Sequence, residues 1–138
     1  MEILVCIKQV ADDSVEIFMN ESTGRPALEG VEKVVNAFDT YALEMAARLK
    51  EAKGDTAISV LSLGGEDVTN SLKNCLAVGA DEAFCVKDGN YQEKDAVIVA
   101  QALTKAIQEI EAKRGKKFDI IFCGKETTDF ATGQVGIM

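Results

Sequence analysis

The chain has 138 residues and is acidic, with 15 Lys and Arg against 23 Asp and Glu, which gives a net charge of −8. This length fits one domain, and 47% hydrophobic residues are enough to bury a core of ordinary size. The negative charge argues against binding to nucleic acid or to an anionic membrane surface. Because the chain has no histidine, Ser-His and Cys-His nucleophiles and most transition-metal sites are excluded.

The sequence also gives expectations about cellular location. No apolar run approaches the roughly 18 residues of a transmembrane helix, so membrane insertion is not expected. Met1 leads directly into strand-like residues without a basic region, which argues against a secretory signal peptide. None of the four cysteines forms a C-x-x-C pair, and we expect them to be buried, reduced thiols in a cytoplasmic protein. They are Cys6, Cys75, Cys85 and Cys123.

The first predicted element is a β-strand over residues 3–7, an apolar run without polar alternation. Such runs are typical of strands covered on both faces, as in a parallel sheet. The next residues depart from this pattern, because residues 14–19 and 31–35 predict two strands around a turn over residues 20–26. We therefore predict a hairpin excursion between the first strand and the first helix.

Helices and strands then alternate with short connections. The apolar positions predict helices that end in basic residues or glycine, with Asp95 as the N-cap of the last one and Gly79 just after the second. Alternation of this kind indicates an α/β fold with an open parallel sheet. The predicted order is helix 39–53, strand 57–63, helix 66–78, strand 83–86, helix 95–114 and strand 118–123.

A ligand of such a sheet is expected at the carboxyl ends of the strands, where the strand order reverses. Residues 124–136 follow the last strand and form the loop richest in polar and small residues. Backbone N–H groups at a helix start, with threonine hydroxyls and glycines, suit a phosphate or pyrophosphate. The alternative is an ordinary loop in which Asp129 or Thr132 caps a helix that begins near Gln134.

Residues 36–39, Asn-Ala-Phe-Asp, allow two interpretations. Asn36 or Asp39 can cap the following helix while Phe38 packs against the core. Alternatively, both polar side chains point at a bound base or ribose. The usual nucleotide fingerprints are absent, because neither a G-x-G-x-x-G nor a G-x-x-x-x-G-K-[ST] motif occurs.

Several segments taken together resemble the beta subunit of electron transfer flavoproteins. The resemblance runs in order along nearly the whole chain. It is carried by ILVCIKQV at 3–10, NAFD at 36–39, YALEMAARLKE at 41–51, AVGAD at 77–81 and GKETTD at 124–129, with Gln134 and Gly136.

The resemblance implies an adenine nucleotide alpha-hydrolase-like fold, which is Rossmann-like, and a heterodimer with an alpha subunit. In this family the beta subunit holds AMP in ordinary members and a second FAD in electron-bifurcating members. Family members are nearly twice as long, so we expect residues 1–138 to be a single nucleotide-binding domain of a truncated chain, with exposed apolar surface near its C-terminus. The residues implied to contact the nucleotide are Cys6, Asn36, Asp39, Leu63, Gly124, Thr127, Thr128, Asp129, Thr132, Gly133, Gln134 and Val135.

The loop after the last strand favours FAD over AMP. The AMP-type loop reads Gly-Lys-Gln-Ala-Ile-Asp-Asp-Asp-Cys-Asn-Gln-Thr-Gly, and this chain differs from it after Lys125. Small residues at Ala131 and Gly133, and valine at Val135, are similar to the loop of bifurcating members and leave room for a pyrophosphate.

The implied function is electron transfer, with a flavin doing the redox chemistry and no side chain acting as acid or base. In a bifurcating complex, NADH would reduce the flavin. One electron would pass to ferredoxin or flavodoxin, and the other through the alpha subunit to an acyl-CoA dehydrogenase.

Three alternatives remain at this point. A universal-stress-type nucleotide-binding module would need a G-x-x-G-x9-G-[ST] loop, and an adenylating enzyme would need an S-G-G-x-D-S-type loop after the first strand. Neither loop is present. The third is a domain without a ligand.

Overall fold

The computed structural model describes residues 1–138 and contains a four-stranded parallel sheet with three α-helices. A short 3-10 turn, Tyr91–Glu93, precedes the last helix. In chain order the elements are β1 (Glu2–Ile7), β2 (Gln9–Ala11), β3 (Met19–Asn20), β4 (Arg25–Pro26), β5 (Lys33–Val35), α1 (Ala37–Lys53), β6 (Ala57–Gly64), α2 (Val68–Ala77), β7 (Glu82–Lys87), α3 (Ala96–Arg114) and β8 (Ile120–Cys123).

The sheet has the order β7-β6-β1-β8, and all neighbouring strands are parallel. The chain therefore moves outward from β1 to β6 and β7, and then returns to place β8 on the other side of β1. The strand order reverses between β1 and β8, which is the position where open α/β sheets bind ligands. The predicted open parallel α/β fold is confirmed.

The two faces of the sheet pack against different helices. Ile3, Val5 and Ile7 of β1 belong to a core cluster with residues of α1 and α2, whereas Leu4 packs with Leu61 and the α3 side chains. Alternating side chains of one strand point to opposite faces, so helices cover both sides of the sheet. This explains why the central strands show no polar alternation.

The start of α3 and the ends of α2 and α3 follow the expected capping chemistry, whereas α1 and α2 have no side-chain N-cap hydrogen bond. Asp95 Oδ1 accepts a hydrogen bond from the Ile98 N–H at 2.9 Å, and Gly115 ends α3 with a left-handed φ of 63°. Gly79 follows α2 with a φ of 140°, a conformation that favours glycine. None of the helices combines the length and the hydropathy that crossing a membrane requires.

The excursion after β1 exists, but its internal structure differs from the prediction. β2 pairs antiparallel with β5, and only the two-residue strands β3 and β4 pair beyond them. The predicted strand over residues 14–19 is wrong except at Met19. Residues 13–27 are all exposed, so no buried face exists to hold a longer strand pair.

The prediction of four buried thiols is only partly correct. Cys75 is buried, Cys6 and Cys85 are partly buried, and Cys123 is exposed. Cys123 lies on the edge strand β8, and α3 packs on β6 and β7 rather than on this edge. The apolar run around Cys123 predicted the strand correctly but not the missing cover on one face.

Glu2 connects the start of β1 to the end of α3. Its buried side chain accepts hydrogen bonds from Lys116 Nζ at 2.6 Å and Arg114 Nη2 at 2.5 Å. Its backbone N–H donates to Asp119 Oδ2 at 2.7 Å. The Lys116 hydrogen bond lowers the pKa of Glu2, burial opposes it, and Arg114 adds to the lowering.

Replacing Glu2 by Gln is expected to lower the free energy of unfolding by about 2 kcal/mol near neutral pH, because two charge-assisted hydrogen bonds are lost. A lowered pKa in the folded state gives stability that is present above the ordinary glutamate pKa and is lost as the pH falls. The difference between wild type and Glu2→Gln in urea unfolding should therefore shrink on acidification. Glu109→Gln, at an exposed and unpaired position on α3, is the control and should show no such difference. A pH-independent loss in Glu2→Gln would contradict the assigned role of the charge.

Candidate functional site

The carboxyl edge between β1 and β8 carries the candidate site. A groove of about 550 Å³ opens there, beside the end of β8 and the loop that follows it. It is lined by residues 121–126 together with Gly133, Gly136 and Ile137. The groove lies at the carboxyl end of β8, one of the two strands between which the strand order reverses.

A second cavity of about 460 Å³ lies at the opposite ends of the strands, beside the amino ends of β1 and β6. Its charged side chains already pair with one another: Lys50 with Asp81 at 2.6 Å, and Lys116 with Glu2. Because these charges are neutralised within the protein, this cavity is a weaker candidate for a ligand than the groove at the carboxyl edge.

Asp39, in the first turn of α1, joins the ends of β1 and β8. Its side chain is buried, and its two carboxylate oxygens accept hydrogen bonds from the Lys8 N–H at 2.8 Å and the Gly124 N–H at 3.1 Å. These N–H groups belong to the first residue after each strand. Burial raises the pKa of Asp39 to about 6, although both N–H groups, the Asn36 side chain and the charge of Lys8 act in the opposite direction.

Asn36 holds the loop after β8. Its side chain is fully buried, and Nδ2 donates to the Glu126 carbonyl at 2.8 Å while Oδ1 accepts from the Thr128 N–H at 3.1 Å. Asn36 stands at the N-cap position of α1 but makes no side-chain capping hydrogen bond. Its amide therefore neither caps the helix nor points freely at a ligand, and it positions backbone instead.

Gly124 is required by the close approach of β8 to α1. A Cβ at this position would lie 2.2 Å from Asp39 Oδ1 and 2.9 Å from the Phe38 carbonyl carbon. Contacts this short cannot be relieved by moving a flexible side chain, because one partner is backbone and the other is already fixed. Any larger residue would separate the loop from Asp39.

Lys8 connects the end of β1 to the middle of the loop. Its Nζ lies 2.6 Å from Asp129 Oδ2 and 4.9 Å from the centre of the Phe130 ring. Sequence reasoning did not include Lys8 among the site residues. Its position directly after β1 was the available signal, since residues at strand ends form the site in this fold class.

The loop backbone is bent into a left-handed conformation at two places. Ala131 has a φ of 50°, and its N–H donates to the Thr127 carbonyl at 2.8 Å. Gly133 has a φ of 59° and packs against the Lys125 carbonyl. A left-handed alanine costs roughly 1 kcal/mol, so its surroundings must hold this conformation in place.

Beyond this bend, backbone donors are left without acceptors in the protein. The N–H groups of residues 132–136 make no intramolecular hydrogen bond, and neither do the hydroxyls of Thr127, Thr128 and Thr132. The predicted helix start at Gln134 is a single turn, in which Ile137 and Met138 donate to the Gln134 carbonyl. One turn fixes several dihedral angles for few hydrogen bonds, so it does not amount to a helix.

The structure brings most of the predicted site residues to this edge. Cys6 lies beside Cys123 in the β1–β8 register, and Cys123 lines the groove. Leu63 lies at the end of β6, on the far side of β1 from β8, and is buried. Thus Leu63 lies on a strand that is separated from β8 by β1, and it does not line the groove. Of the predicted loop residues, Gly124 and Gly133 line the groove. The others lie on the same segment but are not part of the groove lining: Thr127, Thr128, Asp129, Thr132, Gln134 and Val135.

The raised pKa of Asp39 predicts a measurable pH dependence. A carboxyl whose pKa is raised on folding stabilises the protein below its ordinary pKa, and this stability is lost as the pH rises through the folded-state value of about 6. The stability of wild type minus that of Asp39→Asn should fall by roughly 1 to 3 kcal/mol between about pH 4 and 6, and then stay level. Urea unfolding over this range measures it, with the exposed Asp13→Asn as control. A difference that rises with pH would show that the two N–H donors outweigh burial.

The left-handed Ala131 gives a second prediction. Because Ala131 is exposed, a larger side chain there has room in solvent. Its cost therefore comes from the positive φ and not from a packing clash. Ala131→Val should lower the free energy of unfolding by about 1 to 2 kcal/mol, whereas Ala131→Gly should leave it unchanged or raise it slightly. Ala27→Val, at another exposed alanine without a positive φ, is the control. Equal stability of the Val and Gly variants at position 131 would disprove the strain.

The chain is similar to a protein-family model and to individual known proteins. A model described as electron transfer flavoprotein domain matches residues 27–138. The electron transfer flavoprotein subunit beta of Megasphaera elsdenii is 40% identical over 137 residues, covering 99% of this chain and 50% of that protein.

Two further relatives carry different names. Protein FixA of Azotobacter vinelandii is 37% identical over 136 residues, covering 99% of this chain and 47% of its own length. The caffeyl-CoA reductase-Etf complex subunit CarD of Acetobacterium woodii is 35% identical, covering 99% of this chain and 50% of its own length. The chain spans about half the length of the curated relatives it matches. With a matching family model over most of its residues and relatives similar along nearly all of it, the chain belongs to the electron transfer flavoprotein family.

Proposed function

We propose that this chain is the nucleotide-binding part of a beta subunit of an electron transfer flavoprotein, and that it holds FAD at the groove beside the end of β8. The observation that supports this most directly is the run of unbonded N–H groups at residues 132–136. They lie at the reversal of strand order, on a loop whose start is fixed by Asn36 and Asp39.

The loop fits a phosphate-bearing ligand. Successive backbone N–H groups with hydroxyls nearby form a concave donor set of the kind that binds phosphate oxygens. Gly133 and Gly136 have no side chains, so a ligand can approach the backbone closely. Five consecutive donors offer more positions than one phosphate uses, which favours the pyrophosphate of FAD over the monophosphate of AMP.

When bound, FAD supplies the redox chemistry, and the residues of this chain bind and orient it. Residues 132–136 would donate to the pyrophosphate. Asn36 and Asp39 would act through the backbone they hold, because all their polar side-chain atoms are already bonded within the protein.

The partners follow from the family and remain part of the proposal. The chain would pair with an alpha subunit, as its relatives named beta subunits imply, and CarD is itself named as a member of a reductase–Etf complex. In a bifurcating complex, NADH would deliver the electrons. Ferredoxin or flavodoxin would receive one of them, and an acyl-CoA dehydrogenase the other, in the cytoplasm.

The test is to purify the chain coexpressed with an alpha subunit and to identify the released nucleotide by chromatography. We expect FAD in excess of what the alpha subunit alone carries. A complex that releases only AMP would contradict the bifurcating assignment. A chain that never pairs with an alpha subunit would contradict the beta-subunit role.

A matched pair of variants tests whether the nucleotide binds at this groove. Asn36→Leu removes both hydrogen bonds that hold the loop and should weaken FAD binding by ~10-fold or more, as measured by quenching of flavin fluorescence. Asn74→Leu changes an exposed asparagine of α2, far from the loop in sequence, and should bind as wild type does. Equal affinity of the two variants would place the nucleotide elsewhere.

A further inference from the structure

Two cysteines face each other at the base of the groove. Cys6 of β1 and Cys123 of β8 are direct partners in the parallel register. Neighbouring strands run about 4.8 Å apart, and disulfides join Cα atoms that are roughly 4.4 to 6.8 Å apart. The spacing of the two backbones therefore allows a bond between their side chains.

Both thiols lie on the same face of the sheet. Cys6 packs with the Leu4 and Leu61 cluster on the α3 side. Phe122 packs with the opposite cluster, and side chains alternate along a strand, so its neighbour Cys123 also points to the α3 side. The proximity of the two thiols raises the pKa of Cys6 and lowers that of Cys123.

Their exposures differ in a way that gives each thiol a separate role. Cys123 is exposed and can meet a reagent from solvent, whereas Cys6 is partly buried. A thiol that is accessible and more acidic attacks first, and a shielded neighbour completes the exchange.

The remaining cysteines lack these features. Cys75 is buried in α2, and burial raises its pKa to about 11. Cys85 lies on β7, which is separated from β1 by β6, and packs with the cluster on the opposite face of the sheet. Both serve as internal controls.

We infer that Cys6 and Cys123 form a reversible intramolecular disulfide, a redox-modification site at the base of the nucleotide groove. The oxidant is a low-molecular-weight disulfide. The Cys123 thiolate attacks one of its sulfurs, forms a mixed disulfide and releases the first small thiol. Cys6 then loses its proton to solvent, and its thiolate attacks Cys123 Sγ and displaces the second small thiol. Two protein thiols are oxidised, and one external disulfide is reduced to two thiols.

The bond would act on the groove directly. Cys123 lines the groove, and Gly136 packs so closely on it that a Cβ there would lie 2.9 Å from Cys123 Cβ. Cys123 Sγ also lies close to Gly136, 3.4 Å from where a Cβ would stand, so a bond that fixes Sγ on Cys6 changes the packing under the segment that carries the free N–H groups. Oxidation should therefore weaken nucleotide retention by about 5-fold or more, a consequence that rests on the proposed function.

The experiment treats the full chain with oxidised glutathione, counts free thiols after denaturation and maps the linked peptides by mass spectrometry. Accessible thiols should fall from four to two, with the peptide of Cys6 joined to that of Cys123, and dithiothreitol should reverse the change. Cys85→Ser and Cys75→Ser should still form the bond. Cys6→Ser should instead keep a stable glutathione adduct on Cys123.

Several outcomes would overturn the disulfide: four thiols remaining, a lasting adduct on Cys123 in the wild type, a link to Cys85, or disulfide-linked dimers. Peptide mapping of the wild type decides this even if a variant fails to fold. Thiol counting needs no nucleotide, so it stands apart from the proposed function. Unchanged FAD retention by the oxidised complex would overturn the coupling alone.

Discussion

The site depends on one buried carboxylate. Asp39 is the only group that accepts hydrogen bonds from the first residue after both β1 and β8. In an open sheet the chains leaving these two strands turn toward opposite sides, so nothing in the sheet's own hydrogen bonding holds them together. The helix that begins beside them supplies the missing connection, at the cost of burying a charge. This arrangement requires glycine at position 124, because no side chain fits between β8 and the Asp39 carboxylate.

Further side chains fix the backbone of the loop that follows β8. Asn36 fixes the backbone at Glu126 and Thr128, and Lys8 holds Asp129 from the end of β1. With the first half of the loop fixed at three places, the left-handed bend at Ala131 can persist although alanine disfavours it. The bend turns the following backbone away from intramolecular acceptors. A buried asparagine and aspartate thereby determine where exposed backbone donors lie.

The sequence was sufficient for features that depend on local chemistry. The pattern of residues 3–7 predicted an unalternated strand, and local chemistry predicted the cap at Asp95 and the glycine after α3. It was insufficient where distant contacts decide. Asn36 lies 90 residues from Glu126 in sequence, and its pattern fitted a helix cap equally well. Residues 14–19 have strand composition but no face to pack against, and Cys123 has an apolar neighbourhood but no helix above it.

The overall acidity of the chain is compatible with the proposed anionic ligand, because the groove would attract it through backbone N–H groups rather than through net charge. Among residues 124–138, Lys125 is opposed by Glu126, and Asp129 is neutralised by Lys8, so side chains contribute little net charge there. Backbone N–H dipoles act over short distances and favour one or two phosphates held in place, not a long polyanion. Nucleic acid needs an extended basic surface, which a net charge of −8 does not provide. The same composition that argues against a polymer therefore permits a single nucleotide at this edge of the sheet.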